Sequence, residues 1–195
     1  MNSEACHRAR AGLVPLVAAL LVLLGGSAAL QAQTTDYAID SDSWNGLSRF
    51  VSLSERIGYG AEPTGSLDYD ALSADDTLVI VYPQRPLDVD SLANFIIDGG
   101  RVLLADDFGQ SDAFLRRLDI SRERSEDGLP HDDFVGGKPA LPLFRPTGVH
   151  PLLEGVGTVV ANHPTILHHA GGPVVPYDDG KGGLVYDMNL GEGKA

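Results

Sequence analysis

Three short runs of the chain are predominantly apolar and lack the alternation of a half-exposed strand: Leu78–Tyr82, Val102–Ala105 and Thr158–Ala161. A strand with one face in water alternates apolar and polar side chains, whereas a strand covered on both faces forms a continuous apolar run. The pattern therefore predicts three buried strands of a mostly parallel sheet.

A helical pattern lies between the first two runs. Four apolar residues recur there at helical spacing: Val89, Leu92, Ala93 and Ile96. Asp88 or Asp90 can cap the start of this helix, and Gly99–Gly100 can supply the left-handed stop at its end. The segment therefore predicts a β-α-β unit with a right-handed crossover.

A second helix is predicted upstream, beginning near Trp44 with Asp42 or Ser43 as its cap. Its broad apolar side consists of residues at helical spacing: Leu47, Phe50, Val51, Leu53 and Ile57. We expect Trp44 to pack with Leu47 in the core, because large apolar residues on one helix face are usually buried.

The residues after the second apolar run predict a loop at Asp106–Gly109 and then a third helix, capped by Ser111 or Asp112. The segment Ser121–Pro146 predicts a long surface loop that can contain a short hairpin. Farther along, Val174–Val175 and Gly183–Met188 predict two short strands joined by the turn Asp178–Gly182. The chain end at Leu190–Ala195 resembles the entry into another strand, which indicates either a fragment or the loss of the last strand; of the two we expect a fragment.

The first thirty residues differ from the rest of the chain. Arg8 and Arg10 precede an uncharged stretch, residues 11–30, which ends in small residues at 25–29. This order is typical of a secretory signal with cleavage after Ala29 or Ala32. Twenty uncharged residues can also span a bilayer as an uncleaved anchor. Both alternatives make residues 1–32 a signal peptide or membrane anchor and residues 33–195 a single exported α/β domain.

Composition restricts the classes of function. The 195 residues carry 14 basic and 27 acidic side chains, a formal net charge of -13. This balance argues against nucleic-acid partners, whose phosphates require clustered Lys and Arg. It also argues against adhesion to anionic lipid, so membrane contact is expected only through the N-terminal segment. The single cysteine, Cys6, precedes the exported part and leaves it without a disulfide or a thiol nucleophile.

Four segments of the chain together resemble a bacterial and archaeal family, domain of unknown function 4350. They are Trp44–Ser48, Asp76–Pro83, Gly99–Gly109 and His150–Leu152 with Val159–Pro164. The resemblance covers about residues 36–195 and is most specific at the glycine pair followed by two aspartates. It implies an exported or membrane-anchored protein with a flavodoxin-like fold of the class I glutamine amidotransferase-like group. It carries no catalytic residue, because the family has no established reaction.

Several enzyme motifs are missing from the sequence. Amidotransferases of this fold use a cysteine nucleophile, which the exported part lacks. The G-x-S-x-G serine elbow, the dinucleotide G-x-G-x-x-G after a strand and the zinc-binding H-E-x-x-H are also missing. No cofactor is therefore predicted.

Candidate binding residues follow the three predicted strands. In an open parallel sheet, ligands bind beyond the carboxyl ends of the strands. The residues at these ends that could bind a ligand are Arg85, Asp106, Asp107, Asn162 and His163. If the three strands are neighbours, these side chains share one edge.

Three of these candidates also have a structural interpretation. Asp106 could cap its own loop by accepting backbone N–H groups, and Asp107 could simply be solvated. His163 precedes Pro164, which predicts an extended conformation and a structural hydrogen bond. The adjacent His168 and His169 point to opposite faces of any strand, which disfavours a shared metal.

The sequence therefore predicts a non-catalytic module at the cell envelope that binds a small ligand or a partner protein. The alternative is a metal-assisted hydrolase that acts on envelope material through Asp106, Asp107 and His163, because a carboxylate pair beside a histidine can hold a cation or share a proton.

Overall fold

A computed structural model of the protein describes residues 36–64, 67–124, 131–146, 148–177, 182–191 and 193–194. The chain divides into two units, Met1–Pro63 and Thr64–Ala195. The predicted signal peptide or anchor lies outside the described residues. None of the helices in the described ranges is long and apolar enough to cross a membrane.

The described part of the first unit, residues 36–63, contains one helix, α1, at Ser48–Arg56. The predicted start near Trp44 is wrong, because the preceding residues form turns closed by backbone hydrogen bonds, among them Gly46 N–H to Ser43 O at 2.9 Å. Asp42 does not cap the helix through a backbone N–H, and its carboxylate accepts from the Ser48 hydroxyl instead. The core position predicted for Trp44 is also wrong, since its side chain is exposed.

The second unit contains the predicted β-α-β unit. Strand β1 at Thr77–Val81 and strand β2 at Arg101–Ala105 are joined by helix α2 at Val89–Ile97. The strands are parallel over their full length, from Thr77 beside Arg101 to Val81 beside Ala105. The prediction of a β-α-β unit is therefore confirmed.

The predicted helix signals of α2 are confirmed as well. The Asp88 carboxylate accepts hydrogen bonds from Ser91 N–H at 3.1 Å and from Ser91 Oγ at 3.0 Å. These bonds, the backbone one above all, lower the pKa of Asp88. At the other end of the helix Gly99 takes φ +107°, a left-handed conformation that side chains disfavour.

The main core packs one face of the β1–β2 pair against α2 and against helix α3 at Asp112–Arg117. Its buried members come from both helices, from β2 and from the segment after α3: Leu92, Phe95, Ile96, Val102, Phe114, Leu115, Leu118 and Ile120. A smaller core lies in the second half of the unit: Phe144, Ile166, Val174, Val175 and Tyr177.

Within the described ranges of the chain, ten short strands form three sheets. Besides β1 and β2 they are β3 Ser121–Glu123, β4 Leu143–Phe144, β5 Val159–Val160, β6 Ile166–His168, β7 Val175–Pro176, β8 Gly183–Val185, β9 Asn189–Leu190 and β10 Gly193–Lys194. The first sheet has the order β1-β2-β10-β9, in which β10 is parallel to β2 and antiparallel to β9. The second has the order β3-β6-β8-β7 and is antiparallel throughout. The third pairs β4 with β5.

The remaining strand and loop predictions are confirmed in part. The run Thr158–Ala161 is not a third parallel strand, because only Val159–Val160 pairs, and it pairs antiparallel with β4. Within Ser121–Pro146 the predicted long loop is interrupted by β3 and β4. The short hairpin that the prediction allowed there is present, because Phe134 and Pro142 form an antiparallel bridge that encloses a 3-10 turn at Val135–Gly137. The later predicted pair of strands is present as β7 and β8, although most of its turn lies outside the described residues. The flavodoxin-like class stays a prediction.

Candidate functional site

The loops that follow β1 and β2 lie side by side. Tyr82 N–H donates to Ala105 O at 2.9 Å, and Gln110 N–H donates to Pro83 O at 2.8 Å. Because the two strands are parallel, both loops leave the sheet at the same edge, where α/β proteins usually bind their ligands. We call residues 82–86 and 106–111 the rim.

Asp106 organises the second loop of the rim. Its carboxylate accepts hydrogen bonds from Gly109 N–H at 2.5 Å, from Ser111 N–H at 3.2 Å and from the Ser111 hydroxyl. The side chain is 1% exposed. The interpretation of Asp106 as the acceptor that caps its own loop is confirmed.

Arg122, on strand β3 of the second sheet, inserts its guanidinium into the same loop. Nη1 lies 3.0 Å from Asp106 Oδ2, and the side chain is 2% exposed. The guanidinium also donates to three carbonyl oxygens of the loop: Asp106 O at 3.3 Å, Asp107 O at 3.0 Å and Gly109 O at 3.3 Å. A buried charge is tolerated when it is both paired and hydrogen-bonded, and Arg122 meets both conditions.

Asp112, at the start of α3, binds the outer side of the same guanidinium. Its Oδ1 accepts from Arg122 Nε at 3.0 Å and from Nη2, and Arg124 Nη2 lies 3.4 Å away. Burial acts to raise the pKa of Asp112, but the hydrogen bond and the positive charge of Arg122 outweigh it, so the pKa is lowered. Asp112 is therefore held ionised beside its partner.

Gly109 is required by the crowding within the loop. A Cβ at this position would lie 2.5 Å from Asp106 Oδ1 and 2.8 Å from Pro83 O. Both distances are well below a van der Waals contact, and one of the two atoms belongs to the backbone. Only glycine fits where the two loops of the rim approach each other.

The structure brings three of the five predicted site residues to the rim. Arg85 is exposed in the first loop, and Asp106 and Asp107 lie in the second. Asp107 is half-buried as a residue, and its Oδ1 accepts from Phe108 N–H at 2.7 Å. The rim therefore offers fewer free carboxylate oxygens than the sequence implies.

Asn162 and His163 lie elsewhere in the fold. They follow β5, whose partner β4 belongs to the separate two-stranded sheet, so they do not extend the edge formed by β1 and β2. The extended conformation predicted for His163 is wrong, because its φ is +47°. Its backbone N–H donates to Ala140 O at 2.8 Å, which holds this turn against the β4 segment.

Three other histidines of the second unit have side-chain partners of their own. His168 Nε2 lies 3.0 Å from Glu123 Oε2, and His150 Nε2 lies 3.4 Å from Asp187 Oδ2. His169 Nδ1 accepts from Gly171 N–H at 2.9 Å. Across the part of the chain that the structure describes, no group of three His, Cys, Asp or Glu side chains could hold a metal ion.

Residues 39–195 match the model of one protein family, described as Domain of unknown function (DUF4350). The chain belongs to this family. No curated protein and no solved structure matches the chain. Membership of DUF4350 therefore identifies the domain but assigns it no activity.

The most specific block of the DUF4350 resemblance has a structural explanation. Gly99 takes the left-handed conformation that ends α2, and a Cβ on Gly100 would overlap with the ring of Phe95. The same block ends in the loop that Asp106 and Gly109 organise. The glycines therefore fix the backbone where α2 ends, and Asp106 fixes the loop that follows β2.

The exposed side chains of the rim are an aromatic and several polar groups. Phe108 is 43% exposed, and Gln84, Arg85 and Gln110 are exposed around the same two loops. Sequence reasoning missed Arg122, the residue that holds this surface in place. Its only signal was an arginine-rich segment, residues 122–124, in a region without a clear period.

Proposed function

We propose that this DUF4350 domain is a non-catalytic module of the cell envelope that binds a partner protein at the rim. The observation that supports it most is the buried Arg122–Asp106 pair, which holds the second loop in one conformation while Phe108 remains 43% exposed. A loop that is already ordered loses little conformational entropy when it binds, so it makes a good recognition surface.

The chemistry of the exposed rim favours a peptide or protein partner. Aromatic residues and arginine are enriched in the centres of protein interfaces, because an aromatic ring buries a large apolar area and a guanidinium adds hydrogen bonds. Phe108 can insert into an apolar pocket of a partner, while the exposed guanidinium of Arg85 can bind a carboxylate through two parallel hydrogen bonds. The partner we propose therefore presents an apolar side chain next to an acidic group.

The envelope location is proposed from the N-terminal sequence. Arg8 and Arg10, the uncharged residues 11–30 and the small residues 25–29 support either a cleaved signal peptide or an anchor. A flavodoxin-like frame is proposed on the basis of the parallel pair β1 and β2 with its crossover helix α2. Both points go beyond what the family match supplies.

The geometry favours binding over the metal-assisted hydrolase. A cation at Asp106 would have to displace Gly109 N–H, both donors of Ser111 and the guanidinium of Arg122 from a side chain that is almost fully buried. His163, the proposed third member of that site, follows a strand of a different sheet. No contact of the described residues supports that chemistry.

Photo-crosslinking in cells that express the full chain tests this proposal. A photoreactive phenylalanine analogue is introduced at Phe108 and, as a matched control, at Leu152, which is also exposed but lies outside the rim. We expect an adduct of defined mass at position 108 that is lost when Arg85→Glu is added. An equal adduct at both positions, or none at position 108, would refute binding at the rim.

A further inference from the structure

Strand β1 lies at the end of its sheet, in the order β1-β2-β10-β9. Among the described residues, the strand that pairs with β1 is β2, along one side only. The other side carries a row of backbone N–H and C=O groups directed away from the sheet. Such an edge can accept one more strand by backbone hydrogen bonding.

The sequence of β1 lacks the features that protect exposed edges. Natural edge strands are usually short or bulged, or carry proline, lysine or other charged side chains, which discourage pairing with another chain. Strand β1 reads Thr-Leu-Val-Ile-Val and is, with β2, one of the two longest strands described. It contains no charge, no proline and no glycine.

An exposed apolar strip adjoins this edge. Val79 on β1 is 37% exposed, and its neighbour Leu103 on β2 is 50% exposed on the same face of the sheet. The opposite face packs Leu78, Ile80 and Leu104 against the main core. Parallel strands are usually covered on both faces, so Val79 and Leu103 form a surface with room for further apolar contact.

We propose that the β1 edge binds a second copy of this chain, in an antiparallel pairing with a two-fold axis at Val79. In this register Val79 faces Val79 of the second copy, Leu78 faces Ile80, and Thr77 faces Val81. All five pairs are made of β-branched or leucine side chains, which favour cross-strand contact. The Val79–Leu103 strips of both copies then join into one strip across four strands.

The charges that flank β1 select this orientation. Asp75 and Asp76 precede the strand, and Arg85 follows it by four residues. Parallel pairing of two copies would place the aspartate pairs side by side, and like charges in such positions are destabilising. Antiparallel pairing moves the two aspartate pairs to opposite ends, where each pair faces the end of the second copy that carries Arg85.

The overall charge of the chain makes the pairing dependent on salt. Each copy has a formal net charge of -13, so two copies repel each other at long range. Added salt screens this repulsion, whereas it leaves the backbone hydrogen bonds and the apolar strip of the interface intact. We expect the fraction of dimer to rise between about 0.05 and 0.5 M salt, a range over which the Debye length falls several-fold.

Cysteine crosslinking of the full chain, with Cys6→Ser to remove the native thiol, tests the pairing. The two strands next to the axis lie about 5 Å apart, within disulfide reach, so Val79→Cys should give a disulfide-linked dimer on mild oxidation. Leu103→Cys is the matched control: it is more exposed than Val79, but its two copies lie three strand spacings apart, about 14 Å, beyond that reach.

The crosslinking results show which molecule, if any, pairs with the β1 edge. A dimer band with Val79→Cys and none with Leu103→Cys supports the proposed pairing. An equal dimer from both variants means random collision, an adduct of another mass means a different protein at the edge, and no adduct means an edge left open; each of these overturns the proposal.

A charge exchange at the axis tests the register independently. Val79→Lys alone and Val79→Glu alone each place two like charges opposite one another and should lower the dimer fraction at least tenfold in sedimentation velocity, run in detergent. An equimolar mixture pairs lysine with glutamate and should recover the dimer. Loss of dimer that the mixture does not restore would overturn the two-fold at Val79. Position 79 lies outside the rim, and the Val79 variants leave both Phe108 and Arg85 unchanged, so a loss of dimer can be distinguished from a loss of the adduct at Phe108.

Discussion

Removal of the Arg122 side chain is the most informative single change in this protein. The guanidinium contacts two carboxylates and three backbone carbonyls, and it enters the rim from a strand of another sheet. Arg122→Ala leaves the Asp106 carboxylate, which is 1% exposed, without its cation. We expect the change to destabilise the Thr64–Ala195 unit and to release the loop that carries Phe108.

The size of the expected stability loss follows from the burial of Asp106 and from the hydrogen bonds that its carboxylate keeps. Breaking one side of a buried ion pair typically costs about 3–5 kcal/mol, because the charge left behind is neither paired nor hydrated. Asp106 keeps three hydrogen-bond donors from Gly109 and Ser111, so the lower end of that range, about 3 kcal/mol, applies. With a urea dependence of about 2 kcal/mol per molar, the unfolding midpoint should fall by about 1.5 M.

Arg124→Ala supplies the matched control. Arg124 is one residue beyond the end of β3 and reaches the same Asp112 at 3.4 Å, but its side chain is 39% exposed. Exposed pairs contribute about 0–1 kcal/mol, so its urea midpoint should move by less than about 0.5 M. The assay is far-UV circular dichroism, because the single tryptophan, Trp44, lies in the other unit and is exposed.

Two results would refute this reasoning. One is a decrease of less than about 1 kcal/mol in the free energy of unfolding of Arg122→Ala, which would mean that the buried ion pair does not stabilise the rim. The other is an equal loss in Arg124→Ala. The double variant Asp106→Asn with Arg122→Met removes both charges and should be more stable than Arg122→Ala, because no buried ion is left unpaired.

Two further changes test the local geometry. Gly109→Ala should lower the free energy of unfolding by about 1–3 kcal/mol by overpacking the rim, whereas a Cβ at Gly157 would lie in open space, so Gly157→Ala should cost nothing measurable. Urea unfolding of both variants checks this, and equal stability would contradict the crowding. Asp88→Ala should lower the thermal midpoint at neutral pH, while Asp90→Ala, which leaves the cap intact, should lower it less. Because the pKa of Asp88 is lowered in the folded state, its stabilisation is present above the ordinary aspartate pKa and lost as pH falls through the lowered value, so the deficit of Asp88→Ala should vanish in acid. A deficit that persists at low pH would contradict a charged cap.

Features that depend on neighbouring residues could be predicted from the sequence. The cap at Asp88, the stop at Gly99 and the parallel pair around α2 all follow from patterns within a stretch of some thirty residues. The loop-capping role of Asp106 is local as well, because its donors are three and five residues away. Local hydrogen bonding and hydrophobic spacing decide such features, so one sequence carries enough information.

Features that depend on pairing between residues far apart in the sequence could not be predicted from it. The run Thr158–Ala161 looks like a buried strand, but only two of its residues pair, and their partner, Leu143–Phe144, lies in a segment without a hydrophobic period. Arg122 reaches its carboxylate partners ten and sixteen residues away only because β3 pairs with β6. Strands of two or three residues leave too little periodicity to reveal such pairings.

The position of Arg122 also makes the rim part of a larger cooperative unit. Its backbone belongs to β3, in the antiparallel sheet, and its side chain closes a loop that begins at the end of β2, in the other sheet. That loop cannot open as an independent lid, because opening it strips the cation from a buried carboxylate. In native-state hydrogen exchange, the amides of Gly109 and Ser111 should therefore exchange together with those of β3 and β6. A partner that binds Phe108 would then stabilise both sheets at once.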